Sequence, residues 1–160
     1  MSAARNAALA TIRYGTNADR GFVLDLGRRT TDVSVSSRRR APEAAVRASY
    51  ERLLEYVYDA PHVALIAEDG LAPLGFLLLM TEMPDEVTAL PQAFVAYMAV
   101  EPHARRHRVA ALLLEAAERE AKRRGLPHLT LMVTEENAAA RELYAQAGFA
   151  TERRLLSKPL

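Results

Sequence analysis

A cluster of basic side chains at a predicted strand-to-helix junction is the feature of this sequence best suited to chemistry. The junction joins a strand predicted over 93–100 to a helix predicted over 109–124, and its cluster consists of Arg105, Arg106, His107 and Arg108. The start of a helix exposes unpaired N–H groups at the positive end of the helix dipole, so it binds anions such as pyrophosphate. Basic side chains are disfavoured at that end of a helix, so the presence of this cluster needs an explanation. A bound anion would provide one, because arginine binds phosphate through paired hydrogen bonds. The alternative interpretation is a solvated basic loop.

Two further polar residues lie in a helix predicted over 137–147. Asn137 stands at its start, where asparagine is a favoured N-cap. Tyr144 lies on the same helix, and a tyrosine in an amphipathic helix is ordinarily a core residue. From the residues alone, the two are therefore a cap and a packing side chain.

The surrounding pattern predicts a single α/β domain over 1–160 that positions these residues. Asp69-Gly70 is a turn dipeptide between two apolar runs, which predicts an antiparallel hairpin, and the helix over 109–124 predicts a parallel crossover. The expected order is β, α, α, β, β, β, α, β, α, β. The strands are predicted over 11–14, 62–68, 74–81, 93–100, 129–133 and from Phe149 onward, and the helices over 19–29, 42–58, 109–124 and 137–147.

Composition limits the classes of function. The chain has 160 residues, half of them hydrophobic, no cysteine and a formal net charge of +1. The lack of cysteine argues against a disulfide framework and favours the cytoplasm, while the near-zero charge argues against nucleic acid as the main partner. Residues 1–10 have no signal-type apolar core. The longest apolar stretch, Gly75 to Met80, is far below the roughly 18 residues of a membrane span.

Two motifs, in the same order along the chain, resemble those of the GNAT superfamily of N-acetyltransferases. Residues 100–110, Val-Glu-Pro-His-Ala-Arg-Arg-His-Arg-Val-Ala, followed by Leu113-Leu114, are similar to the acetyl-CoA motif that ends in [QR]-x-x-G-x-[GA]. Residues 137–149 match N-x-x-A-x-x-L-Y-x-x-x-G-F at every fixed position. The resemblance covers about Gly70 to Phe149. It departs at Arg106 and Arg108, which stand where the family has glycine, so we expect a somewhat different loop geometry.

The resemblance implies a GNAT fold, with a mixed, mostly antiparallel sheet flanked by helices and splayed between strands 93–100 and 129–133. Acetyl-CoA would bind in the splay as acyl donor. The implied role of Tyr144 is to protonate the leaving thiolate, for which a phenol with a pKa near 10 is a suitable acid. The pantetheine would pair with the backbone of Met98, Ala99 and Val100. The pyrophosphate would lie on Arg105, Arg106, His107, Arg108, Val109 and Ala110, and Asn137 would be a further cofactor contact.

The expected activity is transfer of an acetyl group to a primary amine of a small molecule or peptide. The alternative is a GNAT-fold module that binds CoA or has a regulatory role and catalyses no transfer. Nucleic-acid binding through the basic runs is a third hypothesis. No general base is identified; Glu68, Glu82, Glu86, Glu101 and His103 are candidates only by proximity. The segment from Ala150 to Leu160 leaves room for one strand, and the resulting sheet edge predicts a homodimer.

Overall fold

The computed structural model describes residues 10–160, which form one five-stranded sheet with helices on both faces. Residues 1–9, where the sequence predicts no signal-type core, lie outside the described residues. Short 3-10 helices occur at Asn17–Asp19, Thr31–Ser34 and Pro102–Ala104. The strands are β1 (Thr11–Tyr14), β2 (His62–Glu68), β3 (Pro73–Pro84), β4 (Pro91–Val100) and β5 (Leu129–Leu131). The helices are α1 (Arg20–Thr30), α2 (Glu43–Asp59), α3 (Val109–Arg123) and α4 (Ala138–Gln146).

The sheet confirms the predicted architecture, including the splay. Its strand order is β1-β2-β3-β4-β5, and every neighbouring pair is antiparallel except β4 and β5. The parallel pair is joined only from Ala93–Leu129 to Val95–Leu131, and no pairing follows along either strand. We call the gap between β4 beyond Val95 and the chain beyond Leu131 the cleft.

A β-bulge marks the point where the cleft begins. Leu79 of β3 pairs with Val95 whereas Leu78 pairs with Tyr97, so Ala96 is an extra residue on β4. A bulge bends its strand and increases the local twist, which carries β4 away from its neighbour. The bulge thus accounts for the separation of β4 from β5.

Helices cover both faces of the sheet, which explains why the sequence of β3 is an unbroken apolar run. Leu74 to Met80 are all buried, as expected for a strand with helices on each side. One core cluster joins α1 and α2 to Ile66, Phe76 and Leu78. The other joins α3 to Leu65, Leu77 and Leu79. Alternate β3 side chains therefore anchor opposite helical layers.

A buried carboxylate ties α3 to the outer strand β1. Glu120 is 4% exposed and accepts hydrogen bonds from the Tyr14 hydroxyl at 2.9 Å and from Arg123 and Arg124, each at 2.7 Å. These bonds, those of Arg123 foremost, lower the pKa of Glu120 to about 2. The group is therefore ionised at neutral pH although it is buried.

The predicted last strand is wrong, and β5 is two residues shorter than expected. No regular structure follows Phe149, and residues 150–160 are exposed. Arg153 instead binds Asp85 at 2.6 Å and Glu86 at 3.0 Å in the β3–β4 loop, which draws the tail toward acidic partners there. The short β5 also offers few backbone groups for a further strand to pair with. Among the described residues, no helix is both long and apolar enough to cross a membrane.

Candidate functional site

The backbone of β4 presents hydrogen-bonding groups to the cleft. The Glu101 N–H donates to the Leu74 carbonyl at 2.8 Å. Backbone groups along an antiparallel strand alternate between its two sides. The register of β3 with β4 therefore turns the N–H and C=O of Met98 and Val100 away from β3 and toward the cleft. Those of Ala99 face Phe76. Of the three residues expected to pair with pantetheine, two have backbone groups in position for it.

Gly75 keeps β3 close behind this edge. A Cβ atom at Gly75 would lie 2.7 Å from the Ala99 carbonyl oxygen and 3.2 Å from the Val100 Cα, both of them backbone atoms. The backbone cannot give way as a flexible side chain would, so only glycine permits this approach. The edge of β4 that faces the cleft is thus held from behind by backbone packing.

The junction loop adopts glycine-like backbone conformations without glycine. Arg106 has φ 64° and Arg108 has φ 61°, both in the left-handed region. Both adopt the positive φ that glycine adopts readily. The expectation that the loop geometry differs from that of the family stays a prediction. Buried Ala104 and Val109 on either side fix the course of the loop.

This conformation leaves a run of N–H groups available at the start of α3. The first hydrogen bond of the helix runs from the Leu112 N–H to the Arg108 carbonyl at 2.9 Å. Within the described chain, the N–H groups of residues 106–111 donate to no protein acceptor. Consecutive free donors at a positive helix end are suited to pyrophosphate oxygens.

The four basic side chains of the junction are exposed, and they differ in whether they form an ion pair. Arg108 binds Glu115 at 3.1 Å, so its guanidinium is directed along α3. Arg105, Arg106 and His107 form no ion pair with any described acidic residue. The structure thus brings the predicted cluster together at the helix start, with three of its basic side chains free for a ligand.

Helix α4 contains Tyr144 and is capped at its start by Asn137. The Asn137 Oδ1 accepts a hydrogen bond from the Ala140 N–H at 3.2 Å, which confirms the predicted N-cap. The Tyr144 ring is half-buried and packs edge-on against Phe149, with centroids 5.9 Å apart. Its hydroxyl bonds to no described residue. Burial, and secondarily Tyr97 on β4, raises the pKa of Tyr144, which therefore keeps its proton at neutral pH.

Three of the five general-base candidates are committed to arginines. Glu68 binds Arg13 at 2.7 Å, Glu86 binds Arg153 and Glu101 binds Arg29 at 2.7 Å. The other two, Glu82 and His103, are exposed and lie toward opposite ends of β4. Glu82 is therefore the one carboxylate among these candidates that is not paired with a described arginine.

Sequence reasoning missed Ala96, whose bulge opens the cleft, and the contacts of Glu136 with Ser36 and Ser37. Ala96 stands in an apolar run in which nothing distinguishes it from its neighbours. The contacts of Glu136 join residues about 100 positions apart, and no local pattern indicates them.

Comparison with known proteins agrees with this geometry. The family model described as "Acetyltransferase (GNAT) family" matches residues 31–149, which is well over half of the chain. No curated protein sequence matches the chain. Among solved structures, a Pyrococcus furiosus protein provisionally described as an acetyl transferase is 24% identical, with a TM-score of 0.80 over 94% of this chain and 99% of that one.

Two other solved structures show the same fold. A GCN5-related N-acetyltransferase from Ralstonia eutropha JMP134 is 22% identical, with a TM-score of 0.71 over 94% of this chain and 98% of its own. The aminoglycoside N-acetyltransferase AAC(6')-Iy, solved in complex with CoA, is 18% identical, with a TM-score of 0.67 over 94% and 98% of the two chains. With the family match, the cleft and the donors at the start of α3, we conclude that the chain belongs to the acetyltransferase (GNAT) family and uses acetyl-CoA as its acyl donor.

Proposed function

We propose that this acetyltransferase transfers the acetyl group of acetyl-CoA to a primary amine of a small molecule or peptide by direct attack on the thioester. The observation that carries the proposal is the free edge of β4 beyond the Ala96 bulge, which lies beside a helix start with unused N–H donors. A pantetheine arm contains two amides in a row, which match the donors and acceptors of an unpaired strand edge. The cleft therefore suits a thioester on such an arm.

The donor contacts follow from the backbone. The amides of pantetheine pair with Met98 and Val100, and the pyrophosphate accepts hydrogen bonds from the N–H groups of residues 106–110. The side chains of Arg105, Arg106 and His107 neutralise its charge. The Asn137 side chain uses its oxygen for the helix cap and retains its NH₂ group for a cofactor contact.

The chemistry needs few side chains. The amine nitrogen forms a bond to the acetyl carbon, the carbon–sulfur bond breaks, and Tyr144 donates its proton to the departing thiolate. A backbone N–H of Met98 or Val100 stabilises the oxyanion, and the nitrogen loses its extra proton to water. Because the amine attacks in its neutral form, alignment of the two reactants supplies most of the acceleration.

The silent-module alternative loses its main ground. It depended on Arg106 and Arg108 in place of glycine, and both have a positive φ, which glycine adopts readily.

The proposal also keeps the expected cytoplasmic homodimer, without nucleic acid or membrane as partner. Its support is the lack of cysteine and the exposed apolar side chains of Leu155 and Leu156, which a second copy can cover.

The test measures acetyl-CoA binding and turnover separately. We expect acetyl-CoA to raise the melting temperature and a panel of small amines and amino-terminal peptides to release CoA thiol in a coupled assay. Tyr144→Phe should lower kcat by about 100-fold, the lower range for loss of a general acid, without lowering the melting temperature. Tyr56→Phe, at an exposed tyrosine on α2, is the matched control. Binding without turnover across the panel would favour the silent module.

A further inference from the structure

Two loops that are distant in sequence are fastened together beside the cleft. The α1–α2 loop (31–42) meets the β5–α4 loop (132–137) through two acceptors. The Ser34 carbonyl accepts from the Thr134 hydroxyl at 2.7 Å. The Glu136 carboxylate accepts from the Ser37 N–H at 3.0 Å, from the Ser37 hydroxyl at 2.8 Å and from the Ser36 hydroxyl at 3.3 Å. We call these contacts the clasp.

The clasp joins the α1–α2 loop, which lies on the side of α1 and α2, to the loop that leads from β5 into α4. Helix α1 packs over β3 and β4 in the core cluster of that face, and its end is tied to the end of β4 by Arg29 and Glu101 at 2.7 Å. The chain that follows α1 therefore starts beside the carboxyl end of β4. The β5–α4 loop follows β5, which is parallel to β4, so it stands across the cleft from residues 96–98. The α1–α2 loop consequently bridges the two diverging strands.

This arrangement separates the two entrances to the reacting centre. The donors for pyrophosphate lie at the start of α3, which packs on the other face of the sheet. An acceptor amine that approaches from the α1 and α2 face meets the clasped loop. The position of that loop therefore sets the width of the acceptor side without touching the acyl donor.

We propose that Glu136 is a positioning residue that acts through Ser36 and Ser37 to hold the α1–α2 loop as the wall of the acceptor side. This inference rests on the proposed function. The described hydrogen bonds of the Glu136 carboxylate all go to Ser36 and Ser37. Its neighbour Glu135 is exposed and binds only Arg141, at 3.4 Å, so it carries the same charge without the clasp.

Kinetics of matched variants provide the first test. Glu136→Ala removes the acceptor for Ser36 and Ser37, whereas Glu136→Gln keeps a carbonyl oxygen that both can use. We expect Glu136→Ala to raise KM for the amine by about 3- to 10-fold, the equivalent of one net hydrogen bond, while KM for acetyl-CoA stays constant. Glu136→Gln should recover most of this loss, and Glu135→Ala should match the unsubstituted protein.

Limited proteolysis provides a second test that needs no acceptor. Arg38, Arg39 and Arg40 follow the clasp directly and are exposed, so trypsin cleavage there reports how firmly the loop is held. We expect faster cleavage at these three sites in Glu136→Ala, with unchanged rates in Glu135→Ala. Mass spectrometry of the fragments assigns each site.

The outcomes separate this inference from the proposed function. If the unsubstituted protein releases no CoA with any amine, the proposed function fails, and the cleavage rates alone decide whether the clasp holds the loop. If turnover is present but Glu136→Ala leaves the amine KM unchanged, or raises both KM values together, the positioning role is overturned. Equal cleavage of the two alanine variants would overturn it as well.

Discussion

Replacing Arg106 or Arg108 by glycine should make the protein more stable. Both residues have a positive φ, a conformation in which a side chain crowds the backbone. A left-handed conformation costs about 1–2 kcal/mol for a residue other than glycine. Glycine removes this cost but loses about 0.5–1 kcal/mol more through chain entropy on folding. The expected net gain is therefore about 0.5–1 kcal/mol at each position.

The magnitude is measurable by thermal unfolding. For a chain of this length, about 1 kcal/mol corresponds to about 2–4 °C in melting temperature. Arg106→Gly should show about 1–4 °C of stabilisation. Arg108→Gly should show slightly less, because it also loses the exposed contact with Glu115. Arg105→Gly is the control, because Arg105 has a negative φ in the extended region. Glycine there raises the conformational entropy of the unfolded chain without relieving strain in the folded one, so the melting temperature should fall.

Circular dichroism melts of the three single variants test whether the positive φ values of Arg106 and Arg108 carry strain. A common downward shift in all three would refute the reasoning, because it would mean that the positive φ values carry no strain. Acetyl-CoA titrations of the same variants show whether the backbone or the side chains hold the pyrophosphate. If the N–H groups dominate, Arg108→Gly should bind within about threefold of the unsubstituted protein, since its guanidinium is already directed toward Glu115.

Three further predictions concern the rest of the structure. The pKa of Glu120 is lowered from its usual 4.5 to about 2, so its stabilising contribution is complete above the usual value and is lost as pH falls toward the lowered one. Glu120→Gln should remove that part of the acid transition, up to about 3 kcal/mol, in urea melts at several pH values. Gly75→Ala should lower both the melting temperature and the affinity for acetyl-CoA, because its Cβ would push β4 away from β3; Gly21→Ala, whose Cβ would meet nothing, is the control. If a second copy covers the exposed apolar tail side chains of Leu155 and Leu156, which are 90% and 87% exposed, their joint replacement by aspartate should convert dimer to monomer in sedimentation velocity; a monomeric unsubstituted protein would contradict the homodimer.

The sequence predicted the elements whose limits are set locally. Asn137 caps α4 through its own side chain, Gly125 with φ 69° follows the end of α3, and Asp69-Gly70 turns the β2–β3 hairpin. Each of these signals lies within a few residues of the structure that it specifies. Helix limits were accordingly correct to within one residue.

The features that were missed depend on contacts between distant parts of the chain. The sequence predicts a last strand from Phe149 onward, but Arg153 binds Asp85 and Glu86 in another loop, and β5 is too short for a further strand to pair with it. The positive φ of Arg106 and Arg108 contradicts their own conformational preference. Only the fixed positions of β4 and α3 on either side impose it. Local propensity gives no indication of either result.

The two sides of the cleft are specified by different parts of the protein. On the proposed donor side the groups available to acetyl-CoA are mainly backbone N–H and C=O, from Met98, Val100 and the start of α3, so their placement depends on strand register and φ rather than on residue type. Arginine can therefore stand where the family has glycine without removing the donors. On the acceptor side the clasp depends on side chains, chiefly that of Glu136, and a single substitution there changes it. Substitutions in the α1–α2 loop and at Glu136 should therefore change the choice of amine while acetyl-CoA binding is retained.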